Sequence, residues 1–169
     1  MRRFDYYKPK SLKELLKEKD ENSLLLAGGT DLLVDIRSGK RKTEKVLDIK
    51  GIKDFYGIRK VKGGIVIGAG ETFNRIGSSL LLKKFPALKE AALRMGCHEI
   101  RNRATIGGNI CNSSPGCETG VVLMVYEAKL NIRSLRGKRT VPIADFIVGV
   151  NKTSLLPDEV LQLEYLFHF

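Results

Sequence analysis

The sequence predicts an α+β fold in two lobes, a small α/β lobe over about residues 1–56 and a larger α+β lobe over about 57–169. Three patterns point there. A short apolar run, Leu24–Ala27, passes through Gly28-Gly29 into a helical apolar periodicity over Asp31–Ser38 that closes on Gly39, which reads as a strand, loop and helix in succession. Two segments of alternating residues, each split by a glycine-bearing turn, read as hairpins. Between the hairpins the apolar spacing is mainly helical. A chain of 169 residues has ample length for a hydrophobic core.

Taken in order, Ser11-Leu12-Lys13-Glu14 is a capping box, opening an amphipathic helix to about Lys19 with Leu12, Leu15 and Leu16 inward. Leu24–Ala27 is a buried strand, and Thr30 and Asp31 are good N-cap residues for the helix that follows. Lys45–Ile49 is the next strand. Ile58–Val61 and Ile65–Ala69 flank Lys62-Gly63-Gly64, a hairpin turn. Thr72 can cap a helix containing Phe73 and Ile76. Pro86 suits the first turn of Ala87–Met95, which Gly96 ends. Thr105-Ile106 is a β-branched pair running into Gly107-Gly108, which reads as a strand ending in a bare turn. Gly120–Ala128 is helical, Lys129–Leu135 and Arg139–Pro142 form a hairpin across Arg136-Gly137-Lys138, and Val160–Phe167 is a last strand.

The two glycine-pair loops carry the chemistry. Glycine lets main-chain N–H groups approach a ligand, and successive amides in a turn form a small nest of positive partial charge suited to an anion. The loop at Gly28-Gly29 precedes a helix, so its amides and the helix dipole point the same way. Neither loop is a common nucleotide signature. There is no Gly-x-x-x-x-Gly-Lys-Ser/Thr, and Gly68-Ala69-Gly70 lacks the third glycine of a dinucleotide fingerprint.

Composition narrows the classes. Apolar residues make up 43%, ordinary for a globular chain, and no apolar run has the length of a membrane span. Met1-Arg2-Arg3-Phe4-Asp5 leads into charge rather than an apolar segment, so no signal peptide is expected and the expected location is cytoplasmic. Thirty basic residues against 19 acidic give +11, but they are spread along the chain and clustered only at Ser38–Lys42. A solvated surface explains that pattern without nucleic acid, and no interleaved aromatic and basic strand appears. Cys97, Cys111 and Cys117 lack a Cys-x-x-Cys pair, and His98 and His168 are far apart, so reduced thiols and no metal site are expected.

Three blocks together, Ala27-Gly28-Gly29-Thr30-Asp31-Leu32, Ile67-Gly68-Ala69-Gly70-Glu71-Thr72 and Ile100-Arg101-Asn102-Arg103-Ala104-Thr105-Ile106-Gly107-Gly108-Asn109, resemble the FAD-binding subunit of molybdenum hydroxylases. The likeness is to the xanthine dehydrogenase and carbon monoxide dehydrogenase medium-subunit type, and it covers the chain from Phe4 to about Leu166. It implies a PCMH-type FAD fold of the vanillyl-alcohol-oxidase kind, without the C-terminal domain that family members usually carry after the last strand.

The cofactor the resemblance implies is FAD. Its pyrophosphate would be held by Ala27, Gly28, Gly29 and Thr30, with Leu26, Asp31 and Leu32 completing the loop. Thr105, Ile106, Gly107, Gly108 and Asn109 would face it from the other lobe. Glu118 stands where the family has Asp, which adds one methylene to a carboxylate expected to touch the nucleotide. Leu161 matches a residue packed near the flavin, although a plain core leucine reads the same way. Thr72 is a further candidate that capping explains equally well.

Flavin chemistry belongs to the cofactor, so no catalytic side chain is expected. The resemblance implies an oxidoreductase component that passes electrons from [2Fe–2S] clusters on a small partner, fed by a molybdopterin-binding large subunit, through FAD to NAD or another acceptor. A separately encoded C-terminal flavin-subunit domain is a further partner it allows. Two other readings stay open: a truncated non-catalytic nucleotide-binding or assembly module, and a basic nucleic-acid-binding protein.

Overall fold

The computed structural model describes residues 3–167. Strand β1 (Asp5–Tyr7) leads into helix α1 (Leu12–Glu18), then β2 (Ser23–Leu26), α2 (Leu32–Ser38) and β3 (Lys45–Asp48). The three strands form a parallel sheet in the order β1-β3-β2. Each helix is a crossover that returns the chain to the same edge direction, as parallel pairing requires. The Ser11 hydroxyl caps α1 by accepting the Glu14 N–H at 3.1 Å, while the Glu14 carboxylate accepts Lys10 N–H rather than that of the cap residue. Gly39 ends α2 in the left-handed conformation, φ 80°.

A second sheet takes β4 (Ile58–Val61), β5 (Gly64–Gly68), β6 (Lys129–Ser134), β7 (Gly137–Pro142) and β10 (Val160–Phe167), in the antiparallel order β4-β5-β10-β6-β7. The last strand therefore enters the middle of the sheet. Its pairing with β6 slips between Leu161 and Leu163, and the displaced Gln162 carbonyl accepts the Ala69 N–H at 2.9 Å. The second hairpin turns at Leu135-Arg136, one step earlier than the Arg136-Gly137-Lys138 reading, with Gly137 already paired to Ser134.

Helices α3 (Phe73–Ser78), α4 (Pro86–Arg94), α5 (His98–Arg101), α6 (Ile106–Asn112) and α7 (Glu118–Val125) fill the segment between the hairpins. α3 packs on α4, α4 on α7, and α6 on both α7 and β10. After β7 come α8 (Ile143–Phe146) and a two-stranded ribbon of β8 (Ile147–Gly149) and β9 (Lys152–Thr153). His168 lies outside the described residues.

One apolar core joins the two sheets. It runs from Leu12, Leu15 and Leu16 of α1 through Leu47, Ile52 and Phe55 to Ile67, Phe73, Ile106 and Leu161. A smaller cluster, Leu26, Ile36 and Val46, lies beneath α2. The parallel sheet is thus covered by α1 on one face and α2 on the other, and its central strand β3 buries Leu47 in the cluster with α1 and Val46 in the cluster with α2. Each fully buried leucine or phenylalanine contributes on the order of 2 kcal/mol.

Candidate functional site

The loop after β2 lies against the segment before α6. A Cβ placed on Gly28 would sit 2.1 Å from the Arg103 carbonyl oxygen and 2.9 Å from Ala104 Cα, so only a bare backbone fits. Gly29 follows at φ 78°, a conformation that residues with a side chain adopt at a cost. Its carbonyl accepts the Leu33 N–H, starting α2. The amides of Gly28, Gly29, Thr30 and Asp31 donate to no protein atom among the described residues. Asp31 occupies the N-cap position of α2 without a capping bond, because its carboxylate is turned to Asn112 instead, accepting Nδ2–H at 3.1 Å.

The second glycine pair is built differently from the strand and turn expected of it. Thr105 forms only an isolated bridge with Thr72, and Ile106, Gly107 and Gly108 are the first three residues of α6. The opening amides of a helix have no intrahelical acceptor, yet here each is satisfied within the protein. Ile106 N–H donates to the Glu71 carbonyl at 3.0 Å, Gly107 N–H to the Ala69 carbonyl at 2.9 Å, and Gly108 N–H to the Thr105 hydroxyl at 3.1 Å. This pair therefore offers no free amide nest to an anion. Gly107 is needed for packing, since a Cβ there would stand 2.5 Å from that of Ala69.

Both loops nevertheless open onto one cleft of about 390 Å³. Ala27, Gly28, Gly29, Thr30, Asp31 and Leu32 line it from one side, and Thr105, Gly107, Gly108 and Asn109 from the other. Leu161 is in its wall. Leu26 and Ile106 are not, being buried behind the loops in the two core clusters. Glu118 is also absent from the lining: it is exposed on the first turn of α7, so its extra methylene has no cleft contact to disturb. Thr72 holds the N-cap position of α3 with no side-chain cap bond and does not line the cleft.

Several lining residues escaped the sequence reading. Met95, Ile100, Leu155 and Leu156 join Phe73 and Leu161 as apolar wall, so the cleft combines an apolar surface with the unpaired amides of residues 28–31. Arg41 looked like part of a solvated basic cluster, yet its Nη2–H donates to Asn112 Oδ1 at 2.8 Å and its Nε lies 3.2 Å from the Asp35 carboxylate. Asp35, Arg41, Asn112 and Asp31 thus form one polar chain, the last three of them lining the cleft. Position-by-position polarity gave no signal for it, because its members lie in separate segments.

Glu159 forms another part of the wall, 5% exposed. Arg139 donates Nε–H and Nη2–H to its two oxygens at 2.8 and 2.7 Å, and Leu156 N–H adds a third bond at 2.9 Å. The Arg139 hydrogen bonds, outweighing burial, hold the Glu159 carboxyl below its ordinary range. Arg139 Nη2 also donates to the Ser154 carbonyl at 2.8 Å, which fixes the loop that carries Leu155 and Leu156. Lys19 Nζ ties the other end of this wall by donating to the Pro157 carbonyl at 2.5 Å. Burial pushes the Lys19 amine below its ordinary range.

Comparison with known proteins adds an independent observation. Residues 2–163 match the model of a family described as the FAD binding domain in molybdopterin dehydrogenase. A xanthine dehydrogenase FAD-binding subunit of Escherichia coli O157:H7 is 40% identical over 147 residues, covering 86% of this chain and 49% of that protein. The carbon monoxide dehydrogenase medium chain of Hydrogenophaga pseudoflava is 36% identical over 163 residues, covering 94% of this chain and 57% of the relative. A solved carbon monoxide dehydrogenase from Hydrogenophaga pseudoflava superposes with a TM-score of 0.93 at 33% identity over 99% of this chain and 60% of that one. Quinoline 2-oxidoreductase from Pseudomonas putida 86 gives the same TM-score at 26% identity. The chain spans about half to three-fifths of the length of these relatives.

Proposed function

The chain belongs to the family of FAD binding domains of molybdopterin dehydrogenases, and from that premise we propose that it holds FAD in the cleft between the two glycine-pair loops. The observation that carries this reading is the run of unengaged amides from Gly28 to Asp31, opening on the same cleft as the apolar wall of Ile100, Leu155, Leu156 and Leu161. A dinucleotide with an anionic middle and a flat apolar ring needs both kinds of surface. The amides supply N–H donors to the phosphates without a bound cation, and Gly28 keeps them close by fitting against Arg103 and Ala104.

Bound FAD supplies a carrier that takes electrons singly or in pairs. The chain's own residues bind, orient and exclude water. Leu156 and Leu161 shield the apolar part of the cleft, and the Arg139–Glu159 pair holds the strap that carries Leu156. Held as a carboxylate by Arg139, Glu159 is a structural anchor rather than a proton donor. No side chain here is assigned a covalent or proton-transfer role.

The wider setting of this reading rests on the family match and on the sequence resemblance to molybdenum hydroxylases. The chain acts as the flavin-bearing, electron-transferring part of a molybdenum-hydroxylase-type oxidoreductase, with a molybdopterin-binding large subunit and a [2Fe–2S] small subunit as partners. Electrons pass from the iron–sulfur partner through FAD to NAD or another acceptor. Among the described residues no helix is long and apolar enough to cross a membrane.

The test is direct. The purified chain, supplied with FAD and freed of excess by gel filtration, is expected to retain flavin absorption and to quench flavin fluorescence saturably. A preparation that stays colourless and leaves the fluorescence of added FAD unchanged overturns the proposal.

A further inference from the structure

Asn109 stands on the cleft wall with its side-chain oxygen already occupied. The Thr119 hydroxyl donates to Asn109 Oδ1 at 2.5 Å, and the Cys117 thiol donates to the same oxygen at 3.0 Å. Both donors come from α7 and the residue before it, behind the wall. Thr119 is fully buried and Cys117 is 8% exposed. Burial raises the Cys117 thiol above its ordinary range, which keeps the S–H proton available for donation.

A carboxamide has one acceptor end and one donor end. Two donors converging on Oδ1 fix which end is which, because the reversed amide would set an N–H against a thiol, a weak acceptor. Nδ2 donates to no protein atom among the described residues, and Asn109 lines the cleft opposite Gly28 to Asp31. With the amides of Ile106, Gly107 and Gly108 satisfied internally, the Asn109 carboxamide joins the Thr105 main-chain N–H as a donor left on this side of the cleft.

We infer that Thr119, assisted by Cys117, is a positioning residue that locks the Asn109 carboxamide so that its N–H group faces the cleft and donates to a phosphate oxygen of the dinucleotide. The inference rests on the proposed FAD site. The second glycine pair then acts by bringing Asn109 close, so that the oriented Asn109 amide adds a side-chain donor opposite the main-chain donors of residues 28–31. Thr119 itself touches no ligand, so its effect on binding passes entirely through Asn109.

The experiment is a double-mutant cycle on the full chain, with FAD affinity read by fluorescence quenching and ADP affinity by competition. Thr119→Val, which keeps the shape and removes the hydroxyl, is expected to weaken FAD and ADP by about threefold to tenfold, the worth of one net hydrogen bond. Thr119→Ser is expected to restore wild-type affinity, which a packing role for the methyl group would not allow. Asn109→Ala is expected to weaken binding comparably, and Thr119→Val added to Asn109→Ala to cost nothing more. Should Thr119→Val not fold, Cys117→Ala replaces it in the cycle. In the unmutated protein the Asn109 side-chain amide resonances are expected to shift when ADP is added.

Full affinity in Thr119→Val, additive losses in the cycle, or an unmoved Asn109 resonance with ADP bound would each overturn the inference while leaving the FAD site standing. A wild-type chain that binds neither FAD nor ADP removes the site and the inference together.

Discussion

Gly28 lies so close to Arg103 that a single added carbon would stand 2.1 Å from the Arg103 carbonyl oxygen. The obstruction is main chain, not a flexible side chain that could swing away, so the first glycine loop and the approach to α6 are locked by a missing atom. Gly28→Ala is expected to destabilise the chain by about 2 kcal/mol or more, the upper part of the range for overpacking. For a domain of this length that is a fall of roughly 4–8 °C in thermal midpoint. FAD uptake should fall with it, because the displaced loop carries the unengaged amides. A midpoint within a degree of wild type in differential scanning calorimetry would show that the loops can part freely.

Removing the cap of α6 tests the internally satisfied helix start. Thr105→Val deletes the hydroxyl that accepts Gly108 N–H and leaves that amide without its partner. The expected cost is about 1 kcal/mol, typical of a lost N-cap, while Thr105→Ser should be nearly neutral. Urea denaturation of the three proteins decides it through the shift in midpoint at constant slope.

The Arg139–Glu159 pair makes stability depend on acid. Hydrogen bonds from Arg139 place the folded-state carboxyl below the ordinary glutamate value of 4.5. A carboxyl lowered on folding contributes its stability in full above the unfolded value and loses it as pH falls through the folded one. Glu159→Gln is therefore expected to be less stable than wild type at neutral pH, by about 1–2 kcal/mol for charge-assisted bonds reduced to neutral ones. The gap should narrow as pH drops below about 4.5. Thermal unfolding across that window gives the curves, and parallel curves would exclude this pair as a source of the acid loss.

Most elements were legible because local chemistry and tertiary context agree. The capping serine of α1 and Gly39 closing α2 stand where sequence patterns place them, and the apolar run of β2 and the turn read at Lys62-Gly63-Gly64 lie within one residue of the expected bounds, Gly64 being already paired in β5. The α6 start was not legible. Thr105-Ile106 is β-branched and Gly107-Gly108 is poor in helix propensity, so the local signal says strand and turn. The helix forms because distant carbonyls, those of Ala69 and Glu71, take its first amides, and because Ile106 and Ile110 bury one face. The same limit hid the clasp of Arg41 and Asn112, whose partners are separated by 71 positions in the chain. The central place of β10 is likewise a matter of sheet order that no single strand's pattern encodes.

That clasp supports a final prediction, and its sign depends on charge. Asn112 is bonded at one end to the Arg41 guanidinium and at the other to the Asp31 carboxylate, which requires both an acceptor and a donor on one side chain. Asn112→Leu deletes both bonds and is expected to cost about 1 kcal/mol at a partly exposed site, with little dependence on salt. Asn112→Asp keeps the bond to Arg41 but sets a carboxylate against Asp31, so the gain on one side meets repulsion on the other. Repulsion between partly exposed charges is screened as ionic strength rises, with a Debye length of about 10 Å at 0.1 M and about 3 Å at 1 M. Asn112→Asp should therefore be clearly less stable than wild type at low salt and recover part of the loss at high salt, while Asn112→Leu should not. Urea midpoints of the three proteins at both ionic strengths make the comparison. Equal salt responses for the two variants would mean that Asp31 and Asn112 do not share a bond in solution.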